Sequence, residues 1–282
     1  MINKDTQICI SISSDPSNFG TTFHNLGYKT QGLNFLYKAV QVSDLPGAMA
    51  GVRALNIAGC SVSMPFKQTV LQYIDALDSS ASHVQAVNTV LQKKGHLTGY
   101  NTDYSGVLSI LQMLELSRDK KVIVAGMGGV ARAHYFAFNE YGCKEIAFKA
   151  RDLNKAKKNA AMIDPGCSVV EWLNGDRADI LINATPLGMK GHSDVSPFTE
   201  QQITNAELVF DLVISQENTK LVDDCLKFGT PVLPGHVFSL EQLCHQYRIY
   251  TCVDAPRTLF VNKIKALFPN FDLSSITALY IN

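Results

Sequence analysis

Gly126-Met127-Gly128-Gly129-Val130-Ala131 follows the apolar, β-branched run Val122-Ile123-Val124-Ala125 and opens a helix-like segment. In that setting a Gly-x-Gly-x-x-Ala turn can hold a pyrophosphate. Gly126 permits the tight turn, Gly128 lets the backbone approach the anion, and the small Ala131 lets helix and strand pack closely. The anion would rest on exposed N–H groups around Gly129 and Val130, at the positive end of the helix. The plain alternative is a glycine-rich turn without a ligand. Two further stretches carry groups able to move a proton. Lys67 closes Ser61-Val62-Ser63-Met64-Pro65-Phe66-Lys67, ahead of a pattern in which Phe66, Val70, Ile74 and Leu77 share a helical face. With Pro65 in the first turn, Lys67 would stand where the helix dipole disfavours a cation, a cost that an acidic partner offsets. Asp103 closes Gly99-Tyr100-Asn101-Thr102-Asp103, where Thr102 or Asp103 suits a helix N-cap. Asn88, in Ala86-Val87-Asn88-Thr89, reads by itself as a turn residue. Taken singly, these are a surface lysine, a cap and a turn.

The elements that must position them alternate along the chain. Gln7–Ile12, Asn34–Val40, Ala54–Ala58 and Ala86–Leu91 read as strands in the first part. Lys121–Ala125, Glu145–Ala150, Ile180–Thr185, Leu208–Val213 and Pro231–Leu233 do so in the second. Helical periodicity marks Gly20–Leu26, Leu45–Val52, Pro65–Leu77 and Tyr104–Leu114, and later Leu240–Tyr247 and Thr258–Phe268. This order predicts an α/β fold with mostly parallel sheets. The glycine turn lies mid-chain, so a first α/β domain of about a hundred residues must precede it. The expected layout is two α/β domains around a cleft. Residues 1–103 form a substrate-binding and catalytic domain and 104–237 a Rossmann-type nucleotide domain. The helices of 238–282 return to pack on the first domain.

Composition narrows the function. A chain of 282 residues suffices for one large domain or two modest ones, and 46% apolar with 18% charged residues is ordinary for a globular protein. Lys+Arg and Asp+Glu are both 25, which leaves no basic footprint for nucleic acid or an anionic membrane. No apolar run approaches the ~20 residues of a membrane helix. The seven cysteines are scattered without a Cys-x-x-Cys, which suits free thiols and argues against a disulfide framework or a zinc cluster. The seven histidines are likewise dispersed, so no metal is expected. Met1-Ile2-Asn3-Lys4-Asp5 lacks the apolar core of a secretory signal, and the expectation is a cytoplasmic protein. The oligomeric state is left open.

Together the motifs resemble one family. Ser-Val-Ser-Met-Pro-Phe-Lys, Ala-Val-Asn-Thr, Gly-Tyr-Asn-Thr-Asp, Gly-Met-Gly-Gly-Val-Ala-Arg and Ile182-Asn183-Ala184-Thr185-Pro186-Leu187-Gly188-Met189 occur in the order and spacing of the shikimate dehydrogenases. Asp211-Leu212-Val213 and Gln242 extend the likeness, which covers nearly the whole chain. The resemblance is greatest to the divergent, shikimate dehydrogenase-like branch. It implies reversible hydride transfer between a nicotinamide cofactor and a ring hydroxyl of shikimate, or of quinate in some branches. Lys67 and Asp103 match the catalytic pair. Asn88 and Gln242 match residues that read the substrate hydroxyls, Ser63 keeps a hydroxyl where many members have Thr, and Tyr37 falls near a pocket tyrosine. The cofactor side is matched by Gly126, Gly128, Gly129, Val130 and Ala131, and by Thr185, Leu187, Val213 and Gly235. Arg151 and Lys155 fit the basic positions of NADP-using members, while Asp152 would oppose a 2′-phosphate. NADP is therefore the expected cofactor, with NAD the alternative.

The match departs from the family in its carboxylate-reading half. Aligned on Phe23-His24-Asn25, Asn18 and Gly20 replace the two serines of Ser-x-Ser-Pro, and Ile214-Ser215-Gln216 replaces Tyr-Asn-Pro. Charged hydrogen bonds contribute roughly 1.5–3 kcal/mol each, so weak activity on shikimate itself is expected. Val237 and Phe238 replace Gly and Met, and are expected to crowd the nicotinamide. Two readings compete with the dehydrogenase. One is a cofactor-binding regulatory protein with little turnover. The other is a folate-linked dehydrogenase, which would leave Asn88 and Gln242 unexplained.

Overall fold

The apolar runs become strands, and the turns between them decide which strands meet. A computed structural model describes residues 2–150, 152–164, 166–171, 177–189, 191–192 and 194–271, without the side chains of Lys155 and Met162. The chain divides into two units, one of residues up to Ser105 with Gln242–Phe260, the other of Gly106–Glu241 with the residues from Val261 onward.

The first unit contains β1 (Gln7–Ser13), α1 (Phe19–Thr30), β2 (Phe35–Gln41), α2 (Leu45–Ala54), β3 (Gly59–Val62), β4 (Ala76–Leu77), α3 (Ser79–Val84), β5 (Thr89–Lys93), β6 (His96–Tyr100) and the start of α4 (Thr102–Leu114). Its sheet runs β2-β1-β3-β5-β6-β4. β1 is parallel to β2 and β3, whereas β5 is antiparallel to both β3 and β6. The β5–β6 hairpin turns at Lys94 (φ 52°) and Gly95 (φ 81°). Two successive positive φ values give the turn whose twist matches that of the strands. One core cluster of this unit joins Ile12, Met49, Val52, Val62, Val70, Val87, Val90 and Leu97.

The second unit contains β7 (Val122–Ala125), α5 (Gly129–Tyr141), β8 (Ile146–Ala150), α6 (Leu153–Ile163), β9 (Ser168–Glu171), β10 (Ile180–Asn183), α7 (Glu200–Asn205), β11 (Leu208–Asp211), α8 (Lys220–Phe228) and β12 (Val232–Pro234). It also holds the start of α9 (Gly235–Thr251) and most of α10 (Arg257–Leu267). The sheet runs β12-β11-β10-β7-β8-β9, every pairing parallel. Counted from β7, this is the doubly wound 3-2-1-4-5-6 order, which reverses direction at β7 and so opens a ligand crevice beyond the strand ends there. Its core joins Ile123, Leu181, Phe198, Ile203, Val209 and Leu221.

Several expectations need correction. Ala54–Ala58 is not a strand: α2 continues through Ala54, Asn56 takes φ 53°, and the strand begins at Gly59. Pro65–Leu77 is not an α-helix. The Met64–Pro65 peptide is cis, and only Thr69–Tyr73 coils, as a 3-10 turn. The apolar spacing was genuine, since Phe66 and Ile74 pack against the cluster around Val70. Long-range backbone bonds take its place: Val87 N–H to Lys67 O (2.7 Å), Asp75 N–H to Leu97 O (3.0 Å) and Asp78 N–H to Gly99 O (2.9 Å). β4, β6 and β9 carry no strong strand signal. The units divide at 105/106 and 241/242, and residues 261–271 group with the second unit, against expected boundaries at 103/104 and 237/238. No helix among the described residues is long and apolar enough to cross a membrane.

Candidate active site

In the first unit, Lys67 Nζ donates to Asp103 Oδ2 at 2.6 Å, with the two side chains 21% and 17% exposed. Lys67 does not stand on a helix, so no dipole opposes its charge. Its backbone oxygen is held by Val87, the neighbour of Asn88. Asp103 lies in the first turn of α4, where the dipole favours a carboxylate by about 0.3–1 kcal/mol. The cap of this helix is neither Thr102 nor Asp103. Asn101 Oδ1 accepts from Tyr104 N–H at 3.0 Å, and Asn101 is itself fixed by Nδ2–H to Ala86 O (3.0 Å). That arrangement leaves the Asp103 carboxylate for Lys67 and the Thr102 hydroxyl for other partners.

Thr102 uses that freedom to join two polyol-reading candidates. Asn88 Oδ1 accepts from Thr102 N–H (2.8 Å), Thr102 Oγ1–H (3.1 Å) and Thr89 Oγ1–H (2.9 Å). Gln242 Nε2–H donates to Thr102 Oγ1 at 2.9 Å. Three donors on one oxygen fix the orientation of the Asn88 amide. Its N–H₂ has no chain partner among the described residues, and neither does Gln242 Oε1. A donor and an acceptor beside one threonine suit hydroxyl groups, each of which both donates and accepts. Ser63 follows Val62, whose N–H bonds to Asn88 O at 2.8 Å. Lys67, Asp103, Asn88, Gln242 and Ser63 are thus tied to one another by bonds or by adjacency.

Asn18 and Tyr37 stand apart from that group. Asn18 is exposed at the N-cap of α1 and makes no side-chain cap bond. Tyr37 is a core residue, 2% exposed, stacked on His24 at 4.3 Å with its hydroxyl engaged by Ser61 and Ser11. A Cβ on Gly20 would lie 3.0 Å from both the Tyr37 ring and its hydroxyl. A serine at position 20 would therefore press on the tyrosine, which would have to shift by a few tenths of an ångström.

In the second unit, Gly126 takes φ 101°, and a Cβ there would lie 2.7 Å from Ala184 O. Only glycine fits, and the close approach sets the turn beside Thr185. Gly128 is the N-cap of α5 and supplies no side-chain bond. Cβ atoms on Gly128 or Gly129 would meet nothing within 4 Å. Space therefore lies open over the first N–H groups of α5, which have no intrahelical acceptor. Ala131 is fully buried, while Val130 is partly exposed. Arg132, the last residue of the Gly-Met-Gly-Gly-Val-Ala-Arg motif, follows in the same turn; its Nε is buried with no hydrogen-bond partner, and burial lowers the guanidinium pKa. This fits an anion at the helix terminus.

The loop after β10 is held by a buried carboxylate. Thr185 Oγ1–H donates to Asn183 Oδ1 (2.7 Å), and Asn183 Nδ2–H donates to Leu187 O (3.0 Å) and Asp211 Oδ1 (2.9 Å). Asp211 also accepts from Thr219 Oγ1–H and Val213 N–H. Burial nevertheless pushes its pKa up to about 6. Gly235 brings α9 against the same strand end: a Cβ there would lie 2.5 Å from Val213 O. Val237 is fully buried and Phe238 is 8% exposed, packed on Phe210 (5.1 Å) and His134 (5.3 Å). Both side chains pack into the second unit rather than standing exposed. Arg151 and the side chain of Lys155 lie outside the described residues.

Residues 18–90 match the family profile of the shikimate dehydrogenase substrate binding domain. A shikimate dehydrogenase-like protein of Haemophilus influenzae is 40% identical over 253 residues, spanning 89% of this chain and 93% of the relative. The shikimate dehydrogenase (NADP(+)) of Caldanaerobacter subterraneus subsp. tengcongensis is 32% identical over 238 residues, spanning 81% and 85%. Among solved structures, a shikimate 5-dehydrogenase-like protein superposes with a TM-score of 0.88 at 38% identity, covering 95% of this chain and all of that one. With its motifs placed as above and its likeness extending over most of its length, this chain belongs to the shikimate dehydrogenase family.

Proposed function

We propose that this protein transfers a hydride between NADP and a ring hydroxyl of shikimate or a related cyclic polyol, with weak turnover of shikimate itself. The observation that carries the reading is the Lys67–Asp103 pair at 2.6 Å, beside the Asn88–Thr102–Gln242 group. The first unit would hold the polyol and the second the cofactor. Asn88 N–H and Gln242 Oε1 would bind neighbouring hydroxyls, with Ser63 adding a further hydroxyl contact. The Lys67–Asp103 pair takes the proton of the reacting hydroxyl, and the Lys67 ammonium stabilises the oxygen as negative charge develops. Gly126 to Ala131 would hold the pyrophosphate, with Thr185, Leu187, Val213 and Gly235 around the nicotinamide end and Arg151 and Lys155 toward a 2′-phosphate. When bound, NADP supplies the hydride acceptor.

Weak use of shikimate follows from the carboxylate-reading half. Tyr37 crowds position 20, where a Cβ would lie 3.0 Å from its ring, Asn18 with Ser17 and Thr22 supplies the donors at the start of α1, and Ile214, 45% exposed, offers no polar side-chain atom. The test is reduction of NADP and NAD by the purified protein with shikimate, quinate and cyclic polyols lacking a carboxylate, alongside Lys67→Ala. Lysine-dependent turnover of a cyclic polyol, poor with shikimate, is the expected result. Efficient turnover at micromolar shikimate would overturn the specificity reading. Tight NADP binding with no turnover of any polyol would favour the regulatory alternative.

A further inference from the structure

A chain of buried hydrogen bonds runs from the hydroxyl-reading residues into the core of the first unit. Gln246 Nε2–H donates to Thr89 Oγ1 at 2.8 Å, and Gln246 Oε1 lies 3.0 Å from His24 Nε2. His24 Nδ1 lies 3.3 Å from the Tyr28 hydroxyl. His24, Thr89 and Thr102 are fully buried, with Gln246 and Asn88 nearly so, so none of these groups can exchange its partner for water. The direction of each bond follows from its neighbours. Thr89 has one hydroxyl hydrogen, and Asn88 Oδ1 at 2.9 Å is a nearer acceptor than Thr102 Oγ1 at 3.3 Å; with that hydrogen on Asn88, Thr89 accepts from the nitrogen of Gln246. Gln246 therefore turns its oxygen to His24, which must carry its proton on Nε2. His24 Nδ1 is then the acceptor for Tyr28.

Resting on the functional reading above, we propose that His24, Gln246 and Thr89 are positioning residues that hold the Asn88 amide with its N–H₂ toward the substrate. The amide oxygen and nitrogen of Asn88 are nearly isosteric, and a hydroxyl site tolerates either until something decides between them. Thr102 supplies two donors to the oxygen, and the relay supplies the third. If His24 loses its Nε2–H, Gln246 is free to reverse, Thr89 turns its hydrogen to Gln246 Oε1, and Asn88 loses that donor. Gln242 is held by the same logic. The Thr102 hydrogen goes to Asn88 Oδ1, so Thr102 must accept from Gln242 Nε2, which leaves Oε1 as the presented atom.

The steady-state test uses shikimate oxidation at saturating NADP for His24→Phe, Gln246→Leu, Thr89→Val and Thr89→Ser. His24→Phe keeps a ring to stack on Tyr37, and Thr89→Val keeps the shape of the threonine. Losing one such bond should raise KM for shikimate about threefold to tenfold, with kcat and KM for NADP within twofold. Thr89→Ser, which keeps the hydroxyl, should stay within twofold of the parent. Unchanged KM in variants that melt like the parent, or equal damage from Thr89→Ser and Thr89→Val, would overturn the relay. Asn88→Ala separates the two layers: if it leaves KM for shikimate unchanged, the functional reading fails, whatever the relay does. Two-bond ¹H–¹⁵N correlations of His24 give a readout independent of turnover. The Nε2–H tautomer at pH 7 is expected, and the Nδ1–H tautomer would refute the proposal.

Discussion

The two units build their sites by opposite means. In the first, the candidate hydroxyl-reading residues are side chains fixed by other side chains: Asn88 is held by three donors, and Thr102 links it to Gln242. In the second, the nucleotide turn is made of backbone and of missing Cβ atoms, at Gly126, Gly128 and Gly129. On the proposed function, the difference lies in what each ligand offers. A polyol presents hydroxyls that must be read by direction, whereas a pyrophosphate presents charge that any array of N–H groups can receive. Substitutions in the first unit should therefore act in graded steps on substrate parameters. Those in the second should act through space, either on folding or on cofactor affinity.

The largest effect expected is that of Lys67→Ala. Loss of the proton-handling cation should lower kcat by about 10²–10⁴-fold, with NADP affinity unchanged when measured by fluorescence titration. A smaller but more discriminating contrast lies within the glycine turn. Gly126→Ala places a Cβ 2.7 Å from Ala184 O at a φ of 101°, and should destabilise the second unit by roughly 2–4 kcal/mol in denaturant melts. Gly128→Ala meets nothing within 4 Å, so it should melt within about 1 kcal/mol of the parent while losing tenfold or more in NADP affinity. Equal melting of the two variants would break the claim that the second site is built from space.

That contrast also marks what the sequence could reveal. Gly126, Gly128 and Ala131 were legible because a turn between strand and helix leaves its requirement in adjacent residues. Lys67 and Asp103 were legible only by likeness, since 36 residues separate them and each alone suits an ordinary surface role. Thr102 illustrates the limit. By type it is a cap, and only the fold shows Asn101 doing the capping. His24 served only to align the first motif, and Gln246 carries no signal toward the site, because the two are brought together across 222 residues by packing. The segment 65–77 misled for the complementary reason. Its apolar period belongs to a face that does pack on the core, but the backbone bonds of Lys67 and Asp75 reach across the sheet, so the i to i+4 pattern closes at Val70 N–H to Phe66 O (2.9 Å) without extending into a helix. β6 was hidden because Gly99 and the polar His96 and Thr98 dilute the strand signal of its five residues.

Acid titration tests the comparison most directly. Burial holds His24 in the first unit and His236 in the second at a pKa of about 4, below the ordinary 6.5. A base depressed in the folded state binds fewer protons than in the unfolded chain, so its stabilisation is full above pH 6.5 and lost as pH falls through 4. Each histidine should withdraw up to about 3 kcal/mol over that window. The second unit carries an opposing group. Asp211, raised to about 6 by burial, binds more protons folded than unfolded between pH 4 and 6, so acidification returns about 3 kcal/mol. Native-state hydrogen exchange, corrected for its intrinsic pH dependence, should show β1 and β3 losing protection between pH 7 and 4.5 while β7 and β10 hold nearly level. Asp211→Asn removes the opposing proton uptake and should make the second unit as acid-sensitive as the first. His24→Phe should flatten the first. If Asp211→Asn leaves the acid response of β7 and β10 unchanged, the buried carboxylate does not set it, and the asymmetry between the units has another source.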